Sequence, residues 1–278
     1  MPHIAPFSLT VFSAGCIINL CALPKQTADG GKRLHKYIIY KRRDTMGPID
    51  IRSWISDLTE RLKAIFGGRL VYVGLQGSYR RGEADAKSDI DVMTVLDRLE
   101  PIDLKTYRAA VGAMPYADKA CGFICGRAEL AAWPRHELFL LQRETLDCFG
   151  ALAPLLPAVQ DGDIRAYVQI NAANLYHAVC HRALYAAEPA NANALNSAYK
   201  PVFYILQNLA YLKSGVFAPT KNELLPLLTG IDREVFLAAV ALRSGEADDR
   251  DSERLFSLLF RWCQTTLDAA AGETGGVR

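Results

Sequence analysis

Gly77-Ser78, followed ten residues on by Ser88-Asp89-Ile90-Asp91, are the residues of this 278-residue chain whose types and spacing best support chemistry. Glycine lets a backbone N–H approach an anion with no Cβ in the way, and the serine hydroxyl can donate a further hydrogen bond. In an extended segment successive side chains alternate, so Asp89 and Asp91 share one face while Ile90 and Val92 take the other. Two hard oxygen ligands beside a phosphate-binding turn suit Mg²⁺, which takes one or two carboxylates and keeps waters and substrate phosphate oxygens. Such an ion would neutralise charge on a departing phosphate and could activate an attacking oxygen. Singly, Gly-Ser is an ordinary turn and Asp-x-Asp an ordinary strand end or cap; the chemical reading rests on their combination.

The surrounding sequence supplies elements to position these groups. Val71, Val73 and Leu75 alternate with Tyr72 and Gly74 before the Gly77-Ser78 turn, which predicts a strand ending at the turn; a second strand runs from Ser88 through Val95. Over 48–66 the residues Ile51, Trp54, Ile55, Leu58, Leu62, Ile65 and Phe66 recur at helical spacing, and Gly67-Gly68 supplies the stop. A second helix is expected over 101–114, entered through Pro101 and closed near Pro115. Strands at about 119–126 and 136–143, with a loop over 129–135, complete a small mixed sheet. Beyond Pro157 long amphipathic stretches predict helices over 164–185, 194–213, 221–228, 232–242 and 251–270, separated by Pro189, Gly215, Pro219, Gly230 and Gly245. The expected fold is α+β: a domain over 46–157, then an up-and-down helical bundle over 158–272 holding the substrate, flanked by a poorly ordered extension (1–45) and a tail (273–278).

Strand, Gly-Ser, a short basic loop, Ser-Asp-x-Asp and another apolar strand, in that order over residues 70–96, resemble the signature of the polymerase β-like nucleotidyltransferase superfamily. The resemblance implies that Gly77 and Ser78 hold nucleotide phosphates and that Asp89 and Asp91 ligate Mg²⁺. It further implies that Ser88 assists at the triphosphate and that Arg81 stands where the family often has a basic residue. Family members place a third carboxylate on the next strand, here the segment Lys119-Ala-Cys-Gly-Phe-Ile-Cys-Gly126, which has none. Glu137 is the substitute expected as general base, with Glu129 and Glu144 behind it. A minimal catalytic domain followed by a helical bundle also resembles the aminoglycoside nucleotidyltransferases, whose acceptor lies between the two domains. Ser214-Gly-Val-Phe-Ala-Pro-Thr-Lys221 is similar to their Thr-Gly turn and lysine, one residue longer here. By that likeness Lys221 would contact nucleotide phosphate, and Lys200 is a weaker candidate of the same kind.

The implied activity is Mg²⁺-dependent transfer of a nucleoside monophosphate, AMP from ATP, to an acceptor hydroxyl of an aminoglycoside-like small molecule in the interdomain cleft. Two alternatives are adenylylation of a protein hydroxyl, as in antitoxin-type members, and a catalytically silent nucleotide-binding protein. Net charge is +2 and uneven: residues 1–45 hold seven Lys/Arg against two Asp/Glu, 46–157 hold 14 against 15, and 158–278 hold 11 against 13. No broad basic face argues for a nucleic-acid partner. Seven cysteines without regular spacing fit reduced thiols, and no apolar run is long enough to span a bilayer, so a cytoplasmic protein without a membrane partner is expected. Cys121 and Cys125 should face one side of their strand as core residues. His177 and His181 lie one helical turn apart, and a packing or cleft-facing role is expected over zinc, which needs more ligands.

Overall fold

The computed structural model describes residues 49–186 and 191–274. The expected extension over 1–45, the Met46 boundary, Pro189 and residues 275–278 of the expected tail lie outside the described residues.

Helix α1 (Ile51–Phe66) opens with the Asp50 side chain accepting the Ser53 N–H and ends at Gly67, whose φ of 55° continues no helix. It buries Ile51, Trp54, Ile55, Leu58, Leu62 and Phe66, while Ile65 stays exposed. The chain then passes through β1 (Leu70–Leu75), the short α2 (Gly77–Arg81), β2 (Ile90–Leu96), α3 (Pro101–Gly112), β3 (Ala120–Gly126), α4 (Arg127–Ala131), α5 (Arg135–Arg143) and β4 (Leu146–Phe149). The four strands form one sheet in the order β3-β2-β1-β4; β1 is antiparallel to β2 and β4, and β2 is parallel to β3 through the α3 crossover.

β2 is buried along its whole length, and its alternation sorts two cores. Ile90, Val92 and Leu96 join α1 and Met114 on one face; Met93 and Val95 join Tyr72, Leu138 and Leu141 on the other. Asp91 belongs by that alternation to the second face, the one roofed by α4 and α5.

Residues 136–143, expected as a strand, form α5, and the fourth strand is β4, further on. The burial explains the difference. Leu138, Phe139, Leu140 and Leu141 are all buried, but Leu138 and Leu141 enter the sheet's core whereas Phe139 and Leu140 enter the core of the C-terminal helices. Leu138 and Leu141, three apart, share one face with the adjacent Phe139 and Leu140 on the other, which is helical, since a strand would put Leu138 with Leu140; a run apolar on both sides conceals that period. The expected loop over 129–135 likewise contains most of α4.

The C-terminal part is α6 (Asp161–Tyr185), α7 (Ala192–Ser214), the single turn α8 (Lys221–Leu224), α9 (Gly230–Ser244) and α10 (Ser252–Thr274). α6 packs on α7 and α10, and α9 on the same two, around Leu206, Val235, Leu259 and Trp262. Segment 221–228 is half the helix expected: its second half is a 3₁₀ turn started by Pro226. Among the described residues no helix is long and apolar enough to cross a membrane.

Candidate functional site

The site begins where β1 gives out. Gln76, fully buried, donates its backbone N–H to the Asp91 carbonyl at 2.8 Å and its side-chain amide to the Thr145 hydroxyl at 2.8 Å, which fixes the turn to both neighbouring strands. Gly77 then takes a φ of +66°, which favours glycine. A Cβ there would collide with the Asp91 carboxylate, so the backbone of the turn and that side chain lie directly against each other. Ser78 follows in the first turn of α2, half-buried.

Asp89 stands just before β2, half-buried, and Asp91 is its second residue, 8% exposed. Burial pushes the Asp91 carboxyl up to about 7 and the neighbouring Asp89 charge pushes the same way, against Arg81 and a hydrogen bond from Cys121. Asp89 is also raised by burial, with Lys119 and Lys200 opposing. Two neighbouring carboxylates, both raised by burial against the cations around them, face a glycine turn. That donor set fits a hard divalent cation that completes its shell with waters and phosphate oxygens. Among the described residues no group of three or more metal-binding side chains occurs, so this would be an open two-carboxylate site.

Arg81 lies at the bottom of the site, 9% exposed. Its Nη1 donates to Glu144 at 2.7 Å and its Nε to Glu83 at 3.2 Å, with Cζ 5.3 Å from the centre of the Phe203 ring. It also hydrogen-bonds the Tyr204 hydroxyl. Glu144, fully buried at the end of α5, accepts a second bond from Gln207 at 3.0 Å. Lys200, Phe203, Tyr204 and Gln207 recur at i, i+3, i+4 and i+7, so one stripe of α7 forms the far wall of the site.

Sequence-expected residues divide accordingly. Gly77, Ser78, Arg81, Asp89 and Asp91 come together, and Lys200 reaches the edge of the group. The Ser88 hydroxyl accepts the Asp85 N–H at 2.9 Å and donates to the Asp85 carboxylate at 3.1 Å, closing the loop before β2. Lys221 sits on Glu83, with its Nζ 3.1 Å from that carboxylate. Glu137 accepts the Trp133 indole N–H at 2.8 Å, and burial lifts its pKa against that bond and His136. The charges acting on Glu137 and on the aspartates are different ones, so the structure does not join it to the pair. Cys125 is core as expected, but Cys121 meets Asp91 instead. His177 and His181 are exposed on α6 with ring centres 6.1 Å apart, and His181 lies 5.0 Å from the Tyr185 ring.

Sequence reading missed Tyr204 and Gln207, named Glu144 only as a reserve third carboxylate and took Cys121 for a core residue. For Tyr204 and Gln207 the signal was present, a helical stripe shared with Lys200 and Phe203; for the pairing of Glu144 with Arg81 and of Cys121 with Asp91 there was none.

Residues 55–121 match the family model described as the nucleotidyltransferase domain, a span that includes the Gly77-Ser78 turn and both aspartates. No curated protein sequence matches the chain. Among solved structures, the chain is similar to one described as spectinomycin adenyltransferase AAD(9) from Enterococcus faecialis with ATP and spectinomycin. The two share 16% identity with a TM-score of 0.50, over 78% of this chain and 98% of that one, which is a likeness of fold. The turn and aspartate pair thus lie in a nucleotidyltransferase domain, and the chain's fold is that of an adenyltransferase of this kind.

Proposed function

We propose that the chain transfers AMP from ATP to a hydroxyl of an aminoglycoside-like small molecule in the cleft between the sheet and α7. The observation that carries this reading is the Asp91 carboxylate seated against the Gly77 turn with Asp89 beside it, Arg81 acting on the first and Lys119 and Lys200 on the second. Asp89 and Asp91 would hold Mg²⁺, which supplies charge neutralisation on the phosphates. The Gly77 turn and Ser78 would orient the triphosphate, with Arg81, Lys221 and Lys200 as surrounding positive charge and Ser88 shaping the loop from behind. The acceptor hydroxyl attacks the α-phosphorus, the bond to pyrophosphate breaks, and the acceptor's proton must leave. Glu137, the base expected from the sequence, would take that proton only by leaving the Trp133 indole N–H that now holds its carboxylate. The likeness to a structure described with ATP and spectinomycin supports the choice of nucleotide and acceptor class.

A second reading, nucleotide binding without turnover, is favoured by one observation: the residue aligned with Asp91 on β3 is Cys121, a thiol rather than a third carboxylate. Incubation with Mg²⁺, α-labelled ATP, an aminoglycoside panel and cell lysate separates the possibilities. Label on a drug supports the first reading, label on a protein moves the acceptor class to a protein hydroxyl, and bound ATP with no pyrophosphate supports the second. An Asp89→Asn protein that labels acceptor at the wild-type rate would remove the proposed site.

A further inference from the structure

Away from the aspartate pair, charge converges most strongly on Glu83, in the loop between α2 and β2. One carboxylate oxygen accepts the Lys221 backbone N–H at 2.9 Å; the other lies 3.1 Å from the Lys221 Nζ and 3.2 Å from the Arg81 Nε. Burial alone would raise the Glu83 pKa, but Lys221 and Arg81 outweigh it and hold the carboxyl below its usual range, so Glu83 is an anion here. Ammonium, guanidinium and amide donors around two oxygens are the donor set that also recognises a phosphate.

The two cations depend on Glu83 unequally. Arg81 has a second carboxylate, the fully buried Glu144, which fixes it whatever Glu83 does. Lys221 has Glu83 as its one ion-pair partner among the described residues, and its side chain is 36% exposed. Gly82, at φ 68°, and residues 85–87 of the loop that carries Glu83 are exposed, while the Glu83 backbone N–H is held by the Ser78 carbonyl at 2.9 Å, so displacement falls on the Glu83 side chain.

We propose that Glu83 is a built-in competitor for nucleotide phosphate: its carboxylate occupies the Arg81 and Lys221 donors, and a triphosphate gains them by displacing it. The inference rests on the nucleotide reading above and adds a residue that sets how tightly the triphosphate is held. Each N–H now pointing at Glu83 can serve a phosphate oxygen only by leaving the carboxylate, and two anions side by side repel, so bound nucleotide competes with Glu83 and its affinity is reduced accordingly.

The test is equilibrium binding of Mg²⁺–ATP and of inorganic tripolyphosphate to the wild type, Glu83→Gln, Lys221→Met and the double variant, with thermal unfolding as a folding control. Glutamine keeps the size and one acceptor but not the charge. The expected result is tighter binding of both probes by Glu83→Gln, about five- to tenfold, with the gain absent in the Lys221→Met background. In turnover the KM for ATP should fall by a similar factor while kcat stays within about twofold, because Asp89 and Asp91 are untouched. Unchanged or weaker binding by a folded Glu83→Gln protein overturns the proposal and leaves the nucleotide reading standing. A wild type that binds neither probe overturns both.

Discussion

The Asp91 carboxyl records in its own acidity what the site lacks. It is held at about 7 because burial and Asp89 disfavour its charge, whereas its ordinary value is 3.8. In the unfolded chain the proton leaves near that ordinary value, so between about pH 4 and 7 the folded state binds more protons than the unfolded one. The stability contributed by the protonated form is therefore fully present below the lower value and is lost as pH rises through 7. In metal-free protein, Asp91→Asn should remove this dependence and be more stable than wild type at pH 8 by about 1–3 kcal/mol, with the difference vanishing near pH 4. Parallel wild-type and variant curves of unfolding temperature against pH would contradict the burial argument. Millimolar Mg²⁺ should raise the unfolding temperature of wild type and leave the variant nearly unmoved. Gly77 gives a second test at this scale, because its φ and the carboxylate above it make independent demands. Gly77→Ala should cost about 2–4 kcal/mol, and adding Asp91→Ala should recover part of it by removing the collision while the backbone strain persists. Strictly additive losses in that double-mutant cycle would mean the two groups do not touch.

Elements differ in how plainly they can be read, and the reason is the range of the interactions that define them. α1, β1, β2 and the Gly-Ser turn were legible because period, cap and glycine stop are all local, and Asp89 and Asp91 followed from a period of two. α5 was not, since its four consecutive apolar residues serve two cores at once and only the finished packing separates Leu138 and Leu141 from Phe139 and Leu140. The partners of Glu144 were illegible for the same cause at longer range: the bonds from Arg81 to Glu144 and from Gln207 to Glu144 each span 63 residues. The register that sets Cys121 against Asp91 is likewise a property of the β2–β3 pairing, not of either strand alone. The helical reading of α5 can be checked through coupling. Leu138→Ala and Leu141→Ala should each cost about 2–4 kcal/mol in urea unfolding and should be non-additive together, because they share one cavity. Leu138→Ala with Leu140→Ala, on opposite faces, should be close to additive. The reverse pattern is what a strand would give.

At the scale of the whole molecule, the sheet and the helical bundle are joined by charge as well as by apolar packing, and the joint runs through the site. Arg81, on α2, is paired with Glu144 at the end of α5 and lies over Phe203 of α7; Gln207 of α7 completes Glu144; Glu83 reaches Lys221 at the start of α8. Glu144 is fully buried, so its charge is tolerated only while Arg81 and Gln207 answer it. This makes the junction strict in one direction. Arg81→Met keeps the volume and the apolar contact with Phe203 but strands Glu144, and should cost about 3–5 kcal/mol. Arg81→Met with Glu144→Gln removes both charges and should recover more than half of that loss. Scanning calorimetry also tests whether the junction couples the two parts. Wild type should unfold in one transition, and Arg81→Met should broaden or split it, because the sheet and bundle retain separate apolar cores when the charges between them are mismatched. A single sharp transition, shifted by less than the apolar change alone explains, would show that the halves are held by packing and that Arg81 serves the phosphates only.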